Sequence, residues 1–377
     1  MPLLRPVLGR RTANLRVRLL RGLSTATNPA ASQTNKHAAS NRVRLVEVGP
    51  RDGLQNEKKT IPLTTKIELI SRLAKTGLTD IEAGSFVAPK WVPQAHWQMA
   101  DSNEILEYIL KYPPTSLNPI AYSFLAPNAK GLQNALSILK NHPNAYSTLS
   151  EQPTQKESTA DTKSPLIELS VFAAATESFS QKNLNCSIAE SLSKFQEVIE
   201  AAKNQDLRVR AYISVVLGCP FEGYDVDPHR VAEIACDLMQ MGADEISLGD
   251  TTGMGTAPRT KELLKAMRSA GIRSEDIAMH FHDTYGQALV NTAVSLESGI
   301  TTFDSSVGGL GGCPYSPGAT GNVSTEDMIY FVESLGMTTG VDLDAVTDIG
   351  AWITNDIGKE NSSSVGKAIL GKRLAQL

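Results

Sequence analysis

Eight times between Val43 and Leu335 the sequence passes from a short apolar or β-branched run to a stretch whose apolar residues recur every three or four positions. The predicted strands are 43–48, 80–87, 120–125, 167–173, 209–217, 245–248, 277–282 and 302–307. The predicted helices are 63–75, 97–110, 129–140, 189–203, 231–241, 261–270, 287–297 and 326–335. In the first helix Ile67, Ile70, Leu73 and Ala74 share a face, and Gly77 closes it. Strand–helix alternation of this number and length fits an α/β fold, a closed (β/α)8 TIM barrel. A doubly wound open sheet is the alternative. It would want a glycine-rich phosphate turn after its first strand, and Gly49-Pro50-Arg51-Asp52-Gly53 is not one.

Three stretches fall outside that rhythm. Residues 141–165 are polar and Pro-rich, and read as a disordered insertion at the barrel end opposite the catalytic face. Residues 341–377, beginning with a helical pattern at 342–352, read as a helical extension capping the barrel domain of 41–340. The first 46 residues contain no acid but carry Arg5, Arg10, Arg11, Arg16, Arg18 and Arg21, followed by small Ser/Thr/Ala residues. That composition predicts a mitochondrial transit peptide and linker over 1–40, and hence the mitochondrial matrix. Cleavage near Ser24 would leave 30 basic against 40 acidic side chains, a formal charge of −10, which argues against a nucleic-acid partner. No uninterrupted apolar run reaches membrane-spanning length, so no membrane association is expected. The four cysteines, 186, 219, 236 and 313, lack zinc-type spacing and predict reduced thiols.

Chemistry enters at the strand ends. His280 and His282, two apart on a predicted strand, project to one face. Alone they fit packed core histidines as well as metal ligands. In a barrel, however, catalytic groups gather at the C-terminal ends of the strands. There the sequence offers Arg51, Asp52 and Gln55 after strand one, Glu82 in strand two and Asp250 after strand six. Asn322 follows strand eight and a loop with five glycines between 308 and 318. Asp52, His280, His282 and Asn322 make a nitrogen and oxygen donor set suited to a divalent cation, Mg2+ or Mn2+, more than to zinc. Arg51 is either a salt-bridge partner of Asp52 or a cation for a developing oxyanion. Cys313, inside a glycine loop able to close over a site, is a candidate proton donor or nucleophile. Cys236 is expected in the core, and Cys219 near a strand end.

Four motifs carry a family resemblance. They are Val48–Glu57 (VGPRDGLQNE), Ser85–Gln94 (SFVAPKWVPQ), His280–Gln287 (HFHDTYGQ) and Ser306–Tyr315 (SVGGLGGCPY). Each resembles the corresponding motif of hydroxymethylglutaryl-CoA lyase, mitochondrial form. The likeness runs from Val43 to Gly340, and the Cys313 loop is its most specific part. It implies retro-Claisen cleavage of 3-hydroxy-3-methylglutaryl-CoA, an acyl-CoA substrate, to acetyl-CoA and acetoacetate. That is the reaction of leucine breakdown and ketone-body formation. The chemistry implies Arg51 at the enolate oxygen, Cys313 as proton donor, and Asp52, Glu82 or His280 as base. Arg51, Gln55 and Asp250 are the expected substrate-binding residues, and the resemblance implies a homodimer. Phe281 stands where some members have Cys and should face the helices. The 141–165 insertion is longer than usual. The last residues, Ala375-Gln376-Leu377, weakly resemble a peroxisomal address. No cysteine near the C-terminus suggests a regulatory disulfide. Two other readings are a Claisen-type condensing synthase, which usually carries a longer C-terminal region, and a non-catalytic barrel.

Overall fold

The computed structural model describes residues 41–55, 57, 59–87, 99–149, 164–312 and 321–376. Residues 1–40, where a targeting segment is expected, the middle of the insertion and Cys313 lie outside the described residues. Eight strands form a closed, wholly parallel barrel in sequence order. They are β1 (Arg44–Glu47), β2 (Asp80–Ser85), β3 (Ala121–Leu125), β4 (Leu166–Ala174), β5 (Arg208–Ser214), β6 (Glu245–Asp250), β7 (Ile277–Phe281) and β8 (Thr302–Ser305). Closure is made by β1 on β8, with Val46 opposite Asp304 and Glu47 opposite Ser305. The TIM barrel expected from the alternation is therefore borne out.

Local chemistry accounts for the helices. The helix Pro228–Met241 starts with Pro228 at its first position and Asp227 capping His229 N, and ends at Gly242 with φ 109°. Ser187 and Glu190 form a reciprocal capping box on the helix Ile188–Lys203. Two helices have no counterpart in the sequence reading. Glu177–Leu184 buries only Phe179 and Ser180, and Ser364–Leu374 only Gly366, so neither writes an apolar stripe. After the 343–357 helix predicted at 342–352, the latter makes the C-terminal extension a helical pair.

The two faces of the barrel wall differ sharply. Ile81, Leu169, Val171, Val209, Ile213, Ile246, Leu248, Met279, Phe281 and Phe303 are buried in the hydrophobic core. Alternation puts them on the outer face of the strands, against the helices, as expected for Phe281. The alternate residues fill the interior with charge. Arg210 pairs with Glu245 at 2.8 Å and Asp304 at 2.5 Å, Arg208 with Glu168 and Glu245, and Arg44 with Asp80 and Glu245. Burying one large aliphatic side chain is worth about 1.5–3 kcal/mol, so stability comes from the outer layer. The described end of the insertion lies beside the strand starts: Ser147 bridges Leu166, and Leu149 N donates to Asp206 O.

Candidate active site

The C-terminal ends of the strands converge on one polar cluster. After β1 the chain makes a wide helical turn, Gly49–Gly53, that buries both Arg51 and Asp52. A turn of this π type is uncommon and is found most often at functional sites. Alternation along β7 brings His280 and His282 to the same side, with ring centroids 5.3 Å apart. One donor atom each from Asp52, His280 and His282 lies within 4.8 Å of the others. Asn322 joins them through its backbone bridge to His282 and a side-chain hydrogen bond from Nδ2 to Asp52 Oδ2 at 2.9 Å. Gly321 must be glycine here, because a Cβ would sit 2.3 Å from Gly309 O.

These residues can hold a metal ion. His282 Nδ1 and Asn322 Oδ1 are buried with no hydrogen-bond partner. Both are atoms whose lone pairs a cation would occupy, and leaving them bare in the interior is costly. Burial, then the neighbouring His280, pushes the His282 pKa down to about 4, so the ring is neutral, the form that binds metals. Burial pushes Asp52 up, but Arg51 and then the two imidazoles outweigh it and hold the carboxylate below its ordinary range. For His280 the burial penalty is overcome by Asp304, which raises the pKa.

Arg51 makes the salt bridge with Asp52 weighed for it, and a second one to Glu82 that the sequence did not show. Its Nη1 lies 2.9 Å from Asp52 Oδ1 and its Nη2 2.6 Å from Glu82 Oε2, while Nε has no partner. Gln55 braces this pair, donating from Nε2 to Asp52 Oδ1 at 2.7 Å. Glu82 is fully buried in β2, and burial raises its pKa more than Arg51 lowers it. Asp250 accepts from Gly255 N at 2.9 Å with Oδ2, and its Oδ1 is unpartnered. Burial, opposed by the Gly255 hydrogen bond, pushes its pKa up to about 7. Of the cysteines, Cys219 is buried and receives a hydrogen bond from Thr176. Cys236 is only partly buried, at the edge of its helix stripe beside Ala270 O, rather than in the core.

Several residues at the site were missed in the sequence. Asp304 accepts from Arg210 and Ser247 and lies 3.1 Å from His280 Nδ1. Tyr212 sets its ring edge-on to His280 and accepts from Arg210 Nη1 at 3.0 Å. Glu47 accepts from Gly49 N, Val307 N and Thr325 Oγ1, tying the β1 turn to the root of the glycine loop. Lys359, from the C-terminal extension, bonds Gly311 O and Glu57. The missed signal was there in β5, where Arg208, Arg210 and Tyr212 alternate with Val209, Ala211 and Ile213.

Fold and cluster together define an enzyme-type parallel barrel with a candidate metal centre at the mouth where barrel enzymes do their chemistry. The comparisons narrow this class. The chain belongs to the HMGL-like family, whose model matches residues 42–353. It is 50% identical over 331 residues to a Pseudomonas aeruginosa 3-hydroxy-3-isohexenylglutaryl-CoA/hydroxy-methylglutaryl-CoA lyase, covering 88% of this chain and 98% of that one. It is 45% identical to the mitochondrial hydroxymethylglutaryl-CoA lyase of Rattus norvegicus, over 90% of this chain and 93% of that one. Among solved structures, a Pseudomonas aeruginosa hydroxymethylglutaryl-CoA lyase superposes with a TM-score of 0.74 at 49% identity, covering 88% of this chain and 99% of that one. A lyase from Acinetobacter baumannii, solved with coenzyme A and 3-methylmalate, gives 0.74 at 32% identity, covering 88% of this chain and 96% of that one. The resemblance read from the motifs is borne out, the chain is a lyase, and the condensing-synthase alternative is not favoured.

Proposed function

We propose that this chain cleaves 3-hydroxy-3-methylglutaryl-CoA to acetyl-CoA and acetoacetate. The observation that carries the reading is the meeting of Arg51, Asp52, Glu82, His280, His282 and Asn322 at one mouth in a chain 45–50% identical to such lyases. Asp52, His280, His282 and Asn322 would hold a divalent cation, Mg2+ or Mn2+. When bound, it supplies Lewis acidity to the substrate oxygens. Arg51, with its unpartnered Nε, offers a buried donor to the enolate oxygen. Among the three candidate bases, Asp52 is held low by Arg51, and His280 Nδ1 is engaged by Asp304. Glu82, raised by burial, has the proton affinity that suits taking the hydroxyl proton. Asp250 Oδ1 can meet a substrate hydroxyl, with Gln55 steadying Arg51 and Asp52. Cys313 returns a proton to the enolate carbon, a role that rests on its motif.

The test is acetoacetate release from the CoA ester by purified protein with Mg2+ or Mn2+. Folded protein that releases none would turn the reading toward the condensing synthase.

Two further parts belong to the same reading. A mitochondrial matrix location is supported by the acid-free, Arg-rich first 46 residues and by mitochondrial relatives. A homodimer is supported by the helix Ala288–Glu297, which is built inside out. Asn291, Thr292 and Ser295 are fully buried, while Val290 is 47% exposed and Leu289, Ala293 and Leu296 are only partly covered. A second copy would cover that apolar face. Val290→Asp should shift sedimentation toward monomer, and an unchanged dimer would move the interface elsewhere.

A further inference from the structure

We propose that Asp304 is a positioning residue that fixes the tautomer of His280 and so aims its Nε2 at the candidate metal centre. The inference rests on the metal reading of Asp52, His280 and His282. Asp304 stands in the middle of β8, opposite His280 in register and fully buried. Its Oδ1 is held by Arg210 Nη2 at 2.5 Å. Its Oδ2 receives Ser247 Oγ at 2.9 Å and faces His280 Nδ1 at 3.1 Å. A carboxylate only accepts, so Nδ1 must carry the hydrogen. In the neutral ring, Nε2, 3.9 Å from Asp52 Oδ2, is then left with its lone pair facing the other donors. His282 has no such brace, because its Nδ1 is unpartnered. The two histidines are therefore unequal: one is locked and the other is free to adjust. Arg210 is in turn fixed by Glu245, which links the orientation of His280 to the barrel's interior ion pairs.

Asp304→Asn separates positioning from mere packing. Arg210 keeps the carbonyl oxygen of the new amide, so its NH2 group takes the place of Oδ2. That group can donate to Ser247 Oγ, which then accepts where it had donated, and to His280 Nδ1, reversing the tautomer. The first measurement is ¹⁵N NMR of the histidine rings in the metal-free protein. At a pH where the ring is neutral, wild type should show His280 as the Nδ1–H form, and Asp304→Asn as the Nε2–H form. The second is calorimetric titration with Mn2+ alone, where the variant should bind about 10- to 100-fold more weakly. Ser247→Ala, which leaves the His280 contact intact, should keep the wild-type tautomer. A neutral Nε2–H ring in wild type overturns the proposal, whatever the variant does. An Asp304→Asn protein with wild-type tautomer and Mn2+ affinity overturns it equally. If wild type binds no Mn2+, the metal reading fails, and the tautomer result still decides what Asp304 does to His280.

Discussion

Glu326 is an acid folded into a place that suits its neutral form. It is fully buried, and both carboxyl oxygens accept from Gly308 N, at 3.1 and 3.0 Å. Burial, resisted by backbone hydrogen bonds and aided by nearby Glu47, raises its pKa from 4.5 to about 8. Once unfolded, the side chain ionises near its ordinary value, whereas the folded protein keeps the proton to about pH 8. Between those limits the native state binds more protons, so stability falls as pH rises. The window is about 3.5 pH units at about 1.36 kcal/mol each, so the loss by pH 8 is on the order of 5 kcal/mol. Glu326→Gln is neutral at every pH and still offers Gly308 N an oxygen. Urea titrations followed by circular dichroism should find the variant within about 1 kcal/mol of wild type at pH 5 and several kcal/mol more stable at pH 8. Glu47, with its pKa raised by burial to about 7, titrates in the same window and is coupled to Glu326, so the difference reads Glu326 together with that coupling. A difference that stays flat from pH 5 to pH 9, or is larger at pH 5, would refute the reasoning. The site is involved as well, because Gly308 roots the glycine loop that leads to Cys313.

Other outcomes are expected. His280→Ala and His282→Ala should each weaken Mn2+ binding about 10- to 100-fold, read by calorimetry; unchanged affinity in both would remove the centre from β7. Cys313→Ser should lower kcat about 10²- to 10⁴-fold with KM little changed, while Cys236→Ser behaves like wild type; near-full kcat would send the proton through another group. A reporter fused to residues 1–30 should enter mitochondria and be excluded after Arg10, Arg11, Arg16 and Arg18 are replaced by Glu; import that survives the change would contradict the presequence reading.

The barrel was legible because its outer face is apolar, so every strand carries a β-branched or aliphatic run that must meet a helix. The Asp52, His280 and His282 cluster was legible because strand ends are the fixed address of chemistry in this fold. Its support was not. Asp304 sits inside the run Thr302–Ser305, where a lone acid between Phe303 and Ser305 looks like an interruption of a strand. Only the closed topology shows it facing Arg210, 94 residues away along the chain. Lys359 was invisible for a like reason: its partners, Glu57 and Gly311 O, are 302 and 48 residues distant. The helices Glu177–Leu184 and Ser364–Leu374 bury so little that no periodicity announces them.

The charged interior of the barrel is poorly explained as a source of stability. Buried ion pairs gain little over well-packed apolar groups, because desolvation offsets the attraction. What they resist is the loss of one member. Arg210 is 1% exposed and faces Asp304, Glu245 and the Tyr212 hydroxyl. Arg210→Met fills similar space with no charge. Glu245 would still have Arg44 and Arg208, but Asp304 would keep only Ser247 and His280. An uncompensated buried carboxylate costs about 3–5 kcal/mol, so the single variant should be destabilised by that amount in urea. Its pKa, now about 2 because Arg210 outweighs burial, should climb, so the loss develops as pH rises above about 2 and is relieved where the carboxyl is protonated. Arg210→Met combined with Asp304→Asn removes the orphaned charge and should recover a large part of the loss, and with Arg210 gone the amide is free to turn its oxygen toward Ser247 and His280 Nδ1. If the single variant costs under about 1 kcal/mol, or the double variant recovers none of the loss, an orphaned Asp304 carboxylate is not what destabilises it.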